Sequence, residues 1–203
     1  MSRQIEVRAP FEPVGLHEKA LEQLTFIRST MERATSFTAV PGVGGVIMGL
    51  TAVAAAVLAS RQLSAENWFG VWTAEALIAI LIGALAVWRK AARLKFSFRS
   101  ETGRKFATGF LPPVVAAVIL TAPLFLAGQF RTLVAAWLML YGSGVAAAGT
   151  YSARIVPIMG FAFIGLGGIT LLLPPEWRDL PLALGFGGLH IVFGLIIARK
   201  YGG

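Results

Sequence analysis

Four side chains that could do chemistry lie within long apolar runs of the sequence. His190 is the one ionisable residue of the glycine-rich stretch GFGGLHIVFG, and Glu75 interrupts another apolar run. Tyr141 and Ser143 belong to the tetrapeptide YGSG of a third run. An ionised side chain deep in a bilayer costs at least about 2.5 to 3.5 kcal/mol, so Glu75 and His190 are expected to face the protein interior and find partners there.

The depths of these groups predict a shared pocket. Counted at 1.5 Å per residue from one side of the membrane, Glu75 lies about 10 Å deep, Tyr141 and Ser143 about 12 to 15 Å, and His190 about 15 Å. Glu75, Tyr141 and His190 could then bind a ligand. Alternatively they are structural, with Glu75 protonated or reaching the membrane surface and His190 bonded to a carbonyl or hydroxyl. No metal site or cofactor is expected, because Glu75 and His190 are too few ligands.

Six apolar runs position these side chains. Hydrophobic residues make up 56% of the 203 residues and charged residues 14%, and the mean hydropathy is +0.73, as in membrane proteins. Each run has about 18 to 20 residues, enough to cross a hydrocarbon core of about 30 Å. We therefore predict an all-α, polytopic protein with six transmembrane helices. The predicted spans are residues 40–59, 71–88, 107–126, 133–150, 155–173 and 180–198.

Aromatic and proline residues refine these predictions. Trp68 and Trp88 bracket the second span about 30 Å apart along a helix, which is typical of interfacial aromatics. Pro112 and Pro113 fall in the first turns of the predicted third span, where a missing backbone donor matters least. Pro41, followed by glycine, predicts that the first span begins there.

The basic residues predict the orientation. The formal net charge is +8, and six spans would place both termini on one side. That side then carries every lysine and arginine except Arg61, Arg131 and Arg178. Because positive residues accumulate on the cytoplasmic side, both termini are predicted to be cytoplasmic. The charge is thus interpreted as a topology signal with anionic-lipid contact, not as nucleic-acid binding.

The polar N-terminal segment forms a separate unit in this prediction. Residues 1–38 are expected to be cytoplasmic, without a signal peptide, and residues 39–203 to form the transmembrane domain. A helix is expected over about 16–37, because apolar residues recur there at spacings of four and three. This apolar face comprises Ala20, Leu24, Ile27 and Met31. It could lie on the membrane surface, pack on the protein's own inner loops or pair with a partner helix.

Small residues recur four apart along the spans, as in Gly45 with Gly49 and Gly194 with Ala198. Such pairs let helix backbones approach closely. The sequence favours a protein without an evident catalytic site that acts by association, as a homo-oligomer or a subunit of a larger membrane assembly. The alternative is a small-molecule binding or transport module with the pocket described above. Cysteine is absent, so thiolate chemistry is excluded.

Three stretches carry a family resemblance: ERATSFTAVPGVGG, YSARIVPIMGF and GFGGLHIVFGLIIARKYGG. As a set they resemble a group of small bacterial multi-pass membrane proteins, over most of the chain. This resemblance implies a six-span protein of the bacterial cytoplasmic membrane. It supplies no activity.

A fragmentary resemblance concerns the fourth and sixth spans. Ser143 within YGSG, with His190 at matching depth, is similar to the Ser-His dyad of rhomboid intramembrane proteases. The resemblance implies Ser143 as nucleophile and His190 as its base. The chain departs from that family where Tyr141 replaces the first glycine of GxSG, and where Gly194 follows the histidine by four residues instead of three.

Overall fold

The computed structural model describes four parts of the chain. They are residues 19–24, 27, 40–93 and 100–201. The chain divides into two units, Met1–Ser36 and Phe37–Gly203.

In the first unit, residues 19–24 and 27 are helical and exposed. Of the predicted apolar face, the structure describes Ala20, Leu24 and Ile27, and all three are exposed. Met31 and most of the predicted helix over 16–37 lie outside the described residues.

Every regular element in the described part of the second unit is helical. Five helices come first: α1 (Gly42–Ala59), α2 (Ala65–Arg93), α3 (Glu101–Leu126), α4 (Phe130–Gly149) and α5 (Ile155–Thr170). A 3-10 turn (Pro175–Trp177) then precedes α6 (Asp179–Leu182), a π-helical segment (Ala183–Leu189) and α7 (His190–Tyr201). The last three follow one another directly and are together called the C-terminal helix.

Within the described ranges, five helical stretches are long and apolar enough to cross a bilayer, namely α1 to α4 and Pro175–Tyr201. The apolar α5 has 16 residues. Large side chains on the flanks face outward, since Leu77 and Leu81 of α2 are 64% and 60% exposed and Val118 of α3 is 68% exposed. So large an apolar surface is typical of contact with lipid. The chain is therefore a membrane protein whose described elements are all helical.

The helices pack around α1, α4 and the C-terminal helix. α1 lies between α2 and the C-terminal helix, while α4 lies between α3 and α5. α5 also contacts the C-terminal helix, which joins the two groups. α2 and α3 form the flanks, and the most apolar stretch of α3 contains no buried residue.

Glycines set the distances between the inner helices. A methyl group added at Gly49 of α1 would lie 2.6 Å from the carbonyl oxygen of Gly187 in the C-terminal helix. One added at Gly142 of α4 would lie 2.6 Å from the carbonyl oxygen of Gly160 in α5. Gly194 likewise meets the backbone of α1. The close approach expected from the small residues is confirmed, and it occurs within one chain.

Polar contacts mark the two ends of the bundle. At one end, tryptophans near the start of α2 meet a carboxylate at the start of the C-terminal helix. We call it the tryptophan end, defined by Trp68, Trp72 and Asp179. At the other, which we call the lysine end, the Nζ atom of Lys90 donates to the carbonyl oxygens of Val40 at 2.9 Å and Tyr201 at 3.2 Å. Lys90 thus joins the start of α1 to the end of α7.

Two sequence predictions are wrong in detail. Trp68 is fully buried within the protein instead of facing lipid, and its indole N–H donates to Asp179 at the end of the bundle. Pro112 and Pro113 lie in the interior of α3, since this helix already begins at Glu101. The start of α1 next to Pro41 is as predicted.

Candidate functional site

Glu75 lies on the face of α2 that packs against α1. The side chain is 7% exposed, and its Oε1 atom is 2.8 Å from the hydroxyl oxygen of Thr51. That hydroxyl is also 2.9 Å from the carbonyl oxygen of Met48, one turn earlier in α1. Within the described ranges, no lysine or arginine pairs with Glu75.

The two contacts of Thr51 indicate the protonation state of Glu75. A hydroxyl has one hydrogen to donate. If Glu75 were a carboxylate, it would compete with Met48 for that hydrogen. If Glu75 is a carboxylic acid, its own O–H donates to Thr51, and Thr51 donates to the Met48 carbonyl. The neutral acid lets both contacts form at once and avoids a charge within the membrane.

Tyr141 of α4 and His190 of α7 form a second polar pair. The Tyr141 hydroxyl is 2.8 Å from Nε2 of His190, whose side chain is 6% exposed. Aromatic rings enclose the pair. The ring centre of Phe163 is 4.9 Å from that of Tyr141 and 5.4 Å from that of His190, and the Phe186 ring centre is 5.3 Å from that of Tyr141.

The second ring nitrogen of His190, Nδ1, is buried without a hydrogen-bond partner among the described residues. The carbonyls of Gly185 and Phe186 lie beside this ring, although neither meets the geometry of a hydrogen bond. Both belong to the π-helical segment, whose wider turn reorients the backbone just before His190. Nδ1 is therefore an unused polar atom in the middle of the bundle.

Ser143 does not join this pair. Its hydroxyl donates to the carbonyl oxygen of Met139 on its own helix at 2.8 Å. Residues two apart on an α-helix point roughly 200° apart, so the orientation that brings Tyr141 to His190 turns Ser143 away. The Ser143–His190 dyad implied by the rhomboid resemblance is thus not formed in this structure.

The predicted pocket consists of two separate pairs. Tyr141 and His190 meet between α4 and the C-terminal helix, whereas Glu75 bonds across the contact of α2 with α1. Across the described parts of the chain, no hydrogen bond links the two pairs. They do lie at similar depth, since Glu75 is about 15 Å from the start of α2 and Tyr141 about 16 Å from the start of α4 at 1.5 Å per residue.

A cluster at the tryptophan end went unrecognised in the sequence. Nε1 of Trp68 and of Trp72 donate to the same oxygen of Asp179, at 2.6 and 3.1 Å. The guanidinium of Arg178 lies 4.6 Å from the ring centre of Trp68 and 5.4 Å from that of Phe130. Arg178 and Asp179 stand in a short polar connection, so no spacing pattern links them to α2.

Lys90 was also missed as a structural residue. It is 8% exposed, although the sequence counts it with the other basic residues that orient the chain. A signal existed, because Glu75 and Lys90 lie about four helical turns apart and therefore near one face of α2. The side chain of a lysine on a buried face needs acceptors, and here two backbone carbonyls supply them.

The chain matches no family model, no curated protein and no solved structure. Among the residues that the structure describes, no three metal-binding side chains come together. Functional inference for this protein therefore depends on the geometry of the two buried pairs and of the tryptophan end.

Proposed function

We propose that this protein is a membrane transport protein that binds a small solute and uses Glu75 as a site that gains and loses a proton. The observation that carries the proposal is the chain of contacts from Glu75 through Thr51 to the carbonyl of Met48. Intramembrane carboxyl groups are rare and mark proton and ion pathways in pumps and transporters.

A purely structural role accounts less well for an acid at this position. A glutamine would donate to Thr51 through its amide group and would stay neutral at every pH. The property that a glutamate adds is exchange of a proton. The Tyr141–His190 pair, with its unused Nδ1 atom, is proposed to contact the solute at a similar depth.

We further propose six membrane crossings. Lys90 bonds to both Val40 and Tyr201, so the start of α1 and the end of α7 lie at one end of the bundle. A chain that returns to its starting side must cross an even number of times, which five spans cannot do. The sixth crossing is assigned to α5. Its 16 residues span about 24 Å, so either the bilayer thins locally or flanking residues complete the crossing.

The lysine end is proposed to face the cytoplasm. The basic residues of the helical domain gather there, as the positive-inside rule requires. They are Arg89, Lys90, Arg93, Arg104, Lys105, Arg154, Arg199 and Lys200. The tryptophan end has Arg61, Arg131 and Arg178. The resemblance to small bacterial multi-pass proteins supports a location in the bacterial cytoplasmic membrane.

The protonated state of Glu75 is tested with a hydrophobic carbodiimide. The acid O–H adds across one C=N bond, and the adduct rearranges to a stable N-acylurea without losing an atom. We expect the peptide containing Glu75 to gain the mass of one carbodiimide, and Glu75→Gln to abolish that labelling. Glu101→Gln is the matched control, because Glu101 is exposed and paired with Lys105 at 2.6 Å. Absence of labelling at Glu75 would contradict the proposal.

Transport is tested in vesicles that contain the purified protein and a trapped pH-sensitive dye. Candidate solutes are added one at a time, and the internal pH is recorded. We expect one solute class to change the internal pH with the wild type and with Glu101→Gln, but not with Glu75→Gln. An equal response with Glu75→Gln, or no response to any class, would refute a role in proton-linked transport.

Association is a second candidate function, favoured by exposed apolar side chains in the first unit. Leu21, Leu24 and Ile27 are 51%, 63% and 52% exposed. We propose that this helix pairs with that of a second copy. Leu24→Lys is then expected to lower the mass of the detergent-solubilised protein in light scattering, whereas the control Glu22→Gln leaves it unchanged. An unchanged mass with Leu24→Lys would exclude this pairing.

A further inference from the structure

The guanidinium of Arg178 is held at the tryptophan end by aromatic rings. It lies over Trp68 and also faces Phe130. In the described part of the structure it has neither a carboxylate within ion-pair distance nor a hydrogen-bond acceptor, although Asp179 is its neighbour in sequence. An arginine in such a position is attached only by cation–π attraction, which is weak compared with a bidentate ion pair.

The rings beneath Arg178 are fixed independently of it. Asp179 accepts the indole N–H groups of Trp68 and Trp72 on one oxygen. Trp137 stacks on Trp68 with ring centres 6.1 Å apart and planes within 4°. Phe130 meets Trp68 edge-on at 5.9 Å. This preorganised surface would remain if the guanidinium moved away.

Arg178 is the group that covers this surface. Trp68 is completely buried, and the guanidinium is the charged group lying over its ring. The 3-10 turn Pro175–Trp177 immediately precedes Arg178, and Trp177 in it is 54% exposed. A movement of this short connection would uncover a ring face bordered by a carboxylate.

We propose that the tryptophan end contains a binding site for an organic cation, which Arg178 occupies in the closed protein and which the ligand takes over by displacing it. Ring faces attract weakly hydrated cations such as quaternary ammonium and guanidinium groups. Inorganic cations favour several oxygen ligands, and this site has the single carboxylate of Asp179. The inference goes beyond the proposed function, because it does not depend on a proton at Glu75.

The test compares cation binding before and after Arg178 is removed. Tetramethylammonium and guanidinium are titrated into the purified protein in detergent, and tryptophan fluorescence and thermal unfolding are followed. Arg178→Ala is expected to bind both cations about tenfold more tightly than the wild type, because the competing side chain is gone. Arg61→Ala is the matched control, since Arg61 lies exposed at the same end. It should behave like the wild type.

Two further variants keep the test decisive. Arg178→Gln removes the charge and retains a long side chain, so it gives the same comparison if Arg178→Ala does not fold. Asp179→Asn is expected to weaken cation binding, because it removes the negative charge that contacts Trp68 and Trp72. The neutral isostere of tetramethylammonium, with carbon in place of nitrogen, should not bind. Equal affinities in wild type and both Arg178 variants, or equal binding of the isostere, would overturn the proposal.

Discussion

Replacing Gly142 by alanine tests whether backbone contact holds α4 and α5 together. The added methyl carbon would lie 2.6 Å from the carbonyl oxygen of Gly160, 2.7 Å from Cβ of Phe163 and 2.9 Å from the amide nitrogen of Ile164. Two of these three atoms belong to the helix backbone, which cannot rotate away as a side chain could. The two helices must therefore separate locally.

The required movement sets the expected cost. Ordinary contact begins at 3.4 Å, so the Gly160 oxygen must retreat by 3.4 − 2.6 = 0.8 Å to reach it. Overpacking of this kind costs about 1 to 3 kcal/mol, while alanine recovers roughly 0.5 to 1 kcal/mol over glycine within a helix. Taking the middle of each range, we expect Gly142→Ala to lower the free energy of unfolding by roughly 2 − 0.75, or about 1.3 kcal/mol. Because Tyr141 is the preceding residue, the same movement strains its bond to His190.

The measurement is the free energy of unfolding in mixed micelles titrated with a denaturing detergent. Gly165→Ala in α5 is the control, since a methyl group there meets nothing within 4 Å. It should leave stability unchanged or raise it by up to about 1 kcal/mol. If Gly142→Ala were as stable as the wild type, or if both variants lost the same stability, the argument from glycine contacts would be wrong.

Three further predictions concern buried polar atoms and topology. Tyr141→Phe should cost about 1 to 3 kcal/mol, because it leaves His190 without its partner. Adding His190→Phe to it should cost less than the sum of the single changes in the same unfolding assay. Lys90→Met should cost about 2 kcal/mol by leaving two carbonyls without a donor, and Lys90→Arg should restore part of that stability. Single cysteines at Gln62 and Thr150, placed in the cysteine-free chain, should be labelled by an impermeant reagent from opposite sides of the membrane. Labelling of both from one side would refute the proposed topology.

The helices were largely predictable from the sequence, because five of the apolar runs form helices long enough to cross a bilayer, whereas the helix of the fifth run, α5, has only 16 residues. The predicted first span, 40–59, differs from α1 (Gly42–Ala59) only at its start. Helix ends that lie beyond the apolar runs were harder to predict from the sequence. α2 begins at Ala65, just before the polar residues Glu66 and Asn67, and α3 begins at Glu101; hydropathy carries no signal there.

The partners of the polar residues were predictable only in part. Counting residues along each span placed Glu75, Tyr141 and His190 at similar depth, and in the structure Tyr141 bonds to His190. Depth does not reveal which helices are neighbours, so it could not show that Glu75 faces Thr51 on α1. It also could not distinguish Tyr141 from Ser143, two residues away. Rotation about the helix axis decides that choice, and it depends on packing.

The contact between α1 and the C-terminal helix affects how the protein is made. α1 is synthesised well before Gly187 and Gly194, which cover the glycine surface that it presents. Until then α1 can pack only with α2. Lys90 can bond to the carbonyl of Val40, but the carbonyl of Tyr201 is still missing. A ribosome that stalls before Gly187 is translated therefore holds a nascent chain in which α1 is only half enclosed, and such a helix is open to quality-control proteases of the membrane.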